Sequence, residues 1–174
     1  MKNENARAIN FCLGIINKNY DQTVDIVKYL SVFVNDEYFS NDIFKVVSSY
    51  LKNEDNKIYQ WVWCWLLNLY IKTDISDFVD KELLKRIFMD ENHNSLTRAT
   101  ALLAYAKHLH DFELMFLKKT YYEAKCILFK RAILASASKL PSTVTKELFN
   151  IEDDDELDII VLKNTCQLTN IKSK

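Results

Sequence analysis

Glycine and proline are almost missing from this chain: Gly14 and Pro141 are the only ones among 174 residues. Strand-rich folds use glycine, Asn-Gly or proline at their turns, and phosphate loops need clustered glycines. Most β architectures, the Rossmann fingerprint and the P-loop are thereby excluded. The four cysteines, Cys12, Cys64, Cys126 and Cys166, lie 40 or more residues apart. That spacing offers neither a C-x-x-C zinc pattern nor a disulfide framework, so they read as buried small hydrophobes in a reducing cytoplasm. The N-terminus, Met-Lys-Asn-Glu-Asn, has no apolar signal core, and the apolar stretch from Ile58 to Ile71 is broken by Gln60 and Asn68. It is too short to cross a bilayer, so a soluble, cytoplasmic protein without membrane contact is expected. A net charge of −1 gives the whole molecule no strong field for a polyanion.

Apolar side chains are abundant, at 49% with 13% aromatic, far above what a disordered chain carries. They recur at helical spacing almost throughout, punctuated by the Asn, Asp, Ser and Thr side chains that cap helix N-termini. The spacing predicts an all-α protein of about ten helices, near 4–17, 21–34, 40–52, 56–72, 76–89, 94–108, 110–119, 120–139, 142–150 and 155–168. Asp21, Ser40, Ser76, Ser95 and Ser142 are the expected caps, and Pro141 separates two helices. Short connections imply antiparallel neighbours.

The chain also resembles itself. Shifted by 33 residues, Arg98-Ala-Thr-Ala-Leu-Leu-Ala-Tyr-Ala-Lys107 lies over Arg131-Ala-Ile-Leu-Ala-Ser-Ala-Ser-Lys-Leu140, and Phe44, Phe78 and Phe112 recur every 34. Each period holds two helices. A pair with apolar residues on more than one face must stack on the next pair to bury the remainder. Ile58 to Ile71, apolar nearly all round, belongs inside such a stack. The alanines beside Arg98 and Arg131 let neighbouring helices approach closely. Together these features predict a single helical-repeat domain over 1–174, with an N-terminal capping helix in 1–20, repeats in 21–150, and an acidic turn and final helix in 151–174. A closed helical bundle is the competing architecture.

The segments Thr97–His108 and Lys130–Pro141 resemble second-helix segments of HEAT-type repeats, over residues 21–150. That resemblance implies an α-solenoid of antiparallel helix pairs that binds other proteins. The Arg-Ala-x-Ala-Leu-Leu-Ala-x-Ala-Lys-His run of 98–108 also resembles the helical C-terminal extension of bacterial abortive-infection reverse transcriptases. In those proteins the repeat domain accompanies a polymerase, which implies a phage-defence setting, although no polymerase domain is present here.

Side chains able to carry chemistry do not converge in the sequence. Metal-dependent phosphoryl or nucleotidyl transfer needs two fixed carboxylates. Asp153-Asp154-Asp155 instead lies in a solvated acidic run that suits the first turn of a helix. His108 and His110 are two apart, pointing about 200° from one another on a helix, and Arg98 to His108 is too wide for the compact site of HEPN-type ribonucleases. Trp61, Trp63 and Trp65 invite comparison with HEAT-like DNA glycosylases, but their helix has no acid. Core packing is the first reading for them, and Trp63 is the candidate partner anchor. No catalytic residue, metal or cofactor is expected.

Charge is concentrated in one region. Residues 95–146 carry nine Lys/Arg against three acids, and residues 147–174 carry seven acids against three lysines. With a helix boundary at Thr120, Lys118 and Lys119 would close one helix, with Lys125 and Lys130 continuing the stripe along the next. Such a face is a solvated surface, a phosphate-binding surface, or a dock for an acidic partner. Arg98 and Arg131 occupy equivalent repeat positions and are expected to bridge neighbouring helices through a carboxylate or carbonyl. The sequence thus favours a non-catalytic scaffold for protein interaction or self-association. A nucleic-acid-binding accessory module and a HEAT-like nucleic-acid enzyme are the second and third readings.

Overall fold

The computed structural model describes residues 7, 8, 11, 12, 14, 20–108 and 114–137. Among them there is no strand. Within the described stretches 20–108 and 114–137, seven α-helices follow in order: α1 (Tyr20–Phe33), α2 (Ser40–Lys52), α3 (Gln60–Lys72), α4 (Lys81–Met89), α5 (Ser95–Lys107), α6 (Leu114–Glu123) and α7 (Ile127–Ala137), with 3-10 turns at Glu54–Ile58 and Ser76–Phe78. The expected helices at 142–150 and 155–168, most of 4–17, and the cap Ser142 fall outside the described residues. The chain divides into two compact units, residues 1–104 and 105–174.

A chain so poor in glycine cannot end its helices through the usual left-handed residue. It ends them by turning into extended backbone. Asn53, Thr73 and Asp90 follow α2, α3 and α4 with ψ of 112°, 141° and 111°. Each then folds its own side chain forward onto the backbone two residues on, as Asx and Ser/Thr turns do. Asn53 Oδ1 accepts from the Asp55 N–H at 3.0 Å, Thr73 Oγ1 from Ile75 at 3.1 Å and Asp90 Oδ1 from Asn92 at 3.0 Å. Asp36 does the same with Tyr38 after α1, at 2.8 Å.

The helix starts differ from the expected caps. Asp80, not Ser76, caps α4 by accepting from the Leu83 N–H at 3.0 Å, and the segment at Ser76 is a 3-10 turn. Asn94, not Ser95, accepts from Thr97 at 2.8 Å ahead of α5. Ser40 is buried as the first residue of α2 and its Oγ has no hydrogen-bond partner. Asp21 lies within the first turn of α1. At the α6 and α7 positions the expected break at Thr120 is displaced to residues 124–126.

In the first unit α3 is the central helix. Val62, Trp63, Leu66, Leu67, Leu69 and Tyr70 are buried, which covers more than one face and requires neighbours on several sides. α1 packs along it. α2 contributes Ile43, Phe44, Val47 and Leu51, one turn apart. Phe44 meets the Tyr70 ring at 4.7 Å and Ser48 Oγ lies 2.7 Å from the Tyr70 hydroxyl. Burying a side chain of this size removes it from water at a gain of about 1.5–3 kcal/mol.

The odd-numbered helices meet by like ends. Beyond the C-terminus of α1, Thr73 Oγ1 donates to the Val34 carbonyl at 3.0 Å and Asn35 Oδ1 accepts from the Asp74 N–H at 2.7 Å, just past the C-terminus of α3. At the other end of α3, Gln60 Oε1 accepts from the Asn94 N–H at 3.3 Å. Thr97 Oγ1 donates to the Gln60 carbonyl at 3.2 Å and lies 3.3 Å from Cys64 Sγ. These bonds span 33 to 39 residues. The even helices do not repeat that register, because Lys52 at the end of α2 pairs with Asp80 at the start of α4, Nζ to Oδ2 at 2.7 Å.

In the second unit Tyr105, Leu117, Tyr121, Phe129, Ile133 and Leu134 are buried, and α6 packs on α7. Tyr105 meets Phe116 edge-on at 6.3 Å.

Candidate functional site

The basic residues singled out from the sequence fall on α6, α7 and their link. Because α6 continues through Thr120, whose Oγ1 donates back to the Phe116 carbonyl at 2.9 Å, Lys118 and Lys119 are not at a helix end. They lie outside the last turn of α6, the place where the helix macrodipole favours a cation. Their placement follows from helical spacing instead. Leu117 and Tyr121 form the buried face, while Met115, Lys119 and Tyr122 stand on the opposite side, with Met115 67% and Tyr122 43% exposed. Lys118 is half-buried beside them.

Lys125 is exposed in the link at 124–126 and therefore does not share a helical stripe with Lys130. Lys130 lies over the Tyr121 ring, Nζ 5.3 Å from its centroid, where the ring quadrupole attracts the ammonium. Lys119 Nζ approaches Glu123 Oε1 at 3.7 Å, both side chains mostly in solvent, so the pair contributes little and exchanges readily. Glu123 is the only acid in 114–137, against Lys118, Lys119, Lys125, Lys130 and Arg131.

Arg98 and Arg131 differ in exposure, Arg98 being half-buried. Arg98 Nε donates to the Phe88 carbonyl at 2.9 Å, joining α5 to an orphan carbonyl in the last turn of α4. Arg131 is exposed on α7. Trp63 is 1% exposed and its Nε1 donates to the Asn56 carbonyl at 2.8 Å. It is a core residue, which removes it as a surface anchor. Exposed apolar side chains lie elsewhere: Tyr29, Val32 and Tyr38 at and after the end of α1, and Met89, Leu96, Met115 and Tyr122.

His93 is buried against Trp63, ring centroids 4.6 Å apart, with Nδ1 at 3.0–3.1 Å from the Gln60 amide and Nε2 3.7 Å from Asp90 Oδ2. His108 is buried at the end of α5. Cys12, Cys64 and Cys126 form no disulfide and are half-buried, not fully buried. Among the described residues no group of three His, Cys, Asp or Glu side chains could hold a metal ion, and no helix is long and apolar enough to cross a membrane. His110, Asp153–Asp155 and Cys166 lie outside the described residues.

An open groove of about 390 Å³ runs along α2, lined by Asn41, Lys45, Ser48, Ser49 and Lys52 with Phe78 and Asp80. Two of its ionisable groups, Lys52 and Asp80, are committed to structure. Partial burial raises the Asp80 pKa, but the Lys52 ammonium, the Leu83 N–H and the nearby Arg86 outweigh it and hold the carboxyl below its ordinary value. Ser48 is engaged with Tyr70, whose hydroxyl is pushed well above the ordinary tyrosine value. Burial is the main cause, with the Asp80 charge adding and the Ser48 bond opposing. A carboxylate that is already a cap and an ion-pair partner has little basicity left for proton transfer.

The sequence reading missed Met115 and Tyr122. With a boundary at Thr120 they belong to different helices; with α6 running through, they stand seven residues apart on one face. No protein-family model matches the chain, and comparisons with curated proteins and with solved structures find no match.

Proposed function

We propose that the chain is a HEAT-like helical-repeat scaffold, an α-solenoid of antiparallel helix pairs that holds another protein or a second copy of itself. The observation that carries this reading is the like-ended contact of α1 with α3, at their C-terminal ends, and of α3 with α5, at their N-terminal ends, made by bonds that span 34 to 39 residues against a repeat of 33 to 34. Side-to-side repetition of one contact is what builds a solenoid, and its outer helix faces remain for partners. Tyr29, Val32 and Tyr38, exposed at one such helix end, suit that use. The resemblance of the 98–108 run to the helical extension of abortive-infection reverse transcriptases extends the proposal to a phage-defence setting beside a polymerase. The proposal assigns no catalytic residue and no cofactor. Small-angle X-ray scattering on the full chain tests it: an array gives a radius of gyration clearly above the ~16 Å of a compact 174-residue domain. A value at that figure means a closed bundle and ends the solenoid. Light scattering after size exclusion then separates self-association from capture of a different protein.

A second reading, a nucleic-acid-binding accessory module, is favoured by one observation: exposed Lys119, Lys125, Met115 and Tyr122 cluster around one acid on α6 and its link. Cations at that density attract phosphates without reading sequence. Binding that falls steeply between about 50 and 200 mM salt supports it, and no binding at the lower salt removes it.

A further inference from the structure

We infer that the α6 face takes single-stranded nucleic acid, with Tyr122 as the ring on which a base stacks and Lys119 and Lys125 as the phosphate contacts. This rests on the nucleic-acid reading and adds what that reading leaves open, the strandedness of the ligand and the residue that selects it.

Two adjacent tyrosines on α6 serve different surroundings. Tyr121 is 1% exposed and serves the core of its unit, whereas Tyr122 is 43% exposed. Their rings meet at 5.3 Å with planes 87° apart. An edge-to-face contact of this kind occupies at most one face of the Tyr122 ring. The other face is left for a flat partner. The core does not need this ring, since Leu117 and Tyr121 already fill the buried side of α6.

The charges supply the rest. Lys119 precedes Tyr122 by three residues on the exposed face of α6, and Lys125 follows it by three in the link, also exposed. Met115, one turn before Lys119 and 67% exposed, extends the apolar surface along the same stripe. The acid in the cluster, Glu123, is already paired with Lys119 at 3.7 Å in solvent, a contact weak enough for a phosphate to displace. Aromatic rings flanked by cations are the physical basis of sequence-tolerant single-strand binding, because every base has a π-face and every linkage a charge. A duplex keeps its bases stacked on one another, leaving the ring without a partner. An acidic polypeptide would use the lysines but has no flat group for Tyr122.

Fluorescence anisotropy of the full chain with fluorescein-labelled oligothymidylate and with a DNA duplex of equal length tests the inference. The single strand is expected to bind more tightly than the duplex. Tyr122→Ala should weaken single-strand binding about tenfold or more with the salt slope unchanged, and Tyr122→Phe should keep the affinity. Lys119→Ala combined with Lys125→Ala should instead lower the slope of log K against log salt by about 1.4. Equal affinity for both probes with a silent Tyr122→Ala overturns the stacking inference while leaving the phosphate reading standing. No binding of either probe at about 50 mM salt overturns both. Tighter binding of polyglutamate than of oligothymidylate assigns the face to an acidic polypeptide and overturns the inference as well.

Discussion

The Thr73 hydroxyl ties the far ends of α1 and α3 together: it donates to the Val34 carbonyl at 3.0 Å and accepts from the Ile75 N–H at 3.1 Å while fully buried. Thr73→Val keeps the side-chain shape and removes both bonds, stranding a carbonyl and an N–H. Each unsatisfied group costs about 1–3 kcal/mol. The expected loss in urea unfolding is therefore at least about 1 kcal/mol, with no change in the denaturant slope. A variant as stable as the parent would mean that the contact between α1 and α3 does not depend on this bond.

Tyr70 gives a prediction in the alkaline range. Burial, the first cause, with the Asp80 charge behind it, raises the folded-state pKa above the ordinary value of 10.0, against the opposing bond from Ser48. The native state therefore keeps this proton when the unfolded chain has lost it. Its contribution is fully present below pH 10.0 and is lost as pH rises beyond that. Tyr70→Phe should cost about 1 kcal/mol at neutral pH through the lost Ser48 bond and should flatten the decline of stability above pH 10.0. Equal alkaline slopes for the two proteins in equilibrium unfolding would contradict the assignment.

Trp63 separates packing from surface recognition. Its ring lies against His93 and its indole N–H is bonded to the Asn56 carbonyl. Trp63→Ala is expected to cost about 3–5 kcal/mol through the cavity it leaves. Trp63→Phe should cost less, because much of the volume remains and the Asn56 carbonyl, which loses the indole N–H, still accepts from the Tyr59 N–H. Thermal unfolding of both variants orders them. A Trp63→Ala protein as stable as the parent would place the ring outside the core.

Much of the helix layout was legible in the sequence, because apolar spacing over 20–108 has one consistent solution: the expected 40–52 helix is Ser40–Lys52 as observed. The caps were harder to place. Ser76 and Ser95 have the right chemistry and nearly the right position, but Asp80 and Asn94 lie closer to the true helix starts and accept the orphan N–H groups there. The break in 110–139 was misplaced because Lys118-Lys119-Thr120 reads as a polar interruption. Thr120 instead returns its hydroxyl to the preceding turn and lets the helix continue. Among the three tryptophans, Trp63 is held by a carbonyl in the preceding 3-10 turn and by the His93 ring, contacts that helical periodicity does not encode. The candidate basic face was half legible: its lysines could be counted, but which of them share a face with Tyr122 depends on the helix boundary.

The Lys52–Asp80 pair bears on acid stability. Partial burial alone would raise the Asp80 pKa, yet the Lys52 ammonium at 2.7 Å, the Leu83 N–H and Arg86 bring it below the ordinary value of 3.8. A carboxyl depressed in the native state contributes stability that is present above pH 3.8 and is lost as pH falls below it. Asp80→Ala removes the cap as well as the charge and should cost about 1 kcal/mol at neutral pH. Asp80→Asn retains a capping oxygen, and because the Lys52 side chain is half exposed the missing ion pair should cost only a few tenths of a kcal/mol. The gap between parent and Asp80→Asn should close as the pH falls below 3.8, measured by urea unfolding across the acid range. A gap that widens in acid would show that the native site stabilises the protonated carboxyl, the reverse of what the Lys52 contact implies.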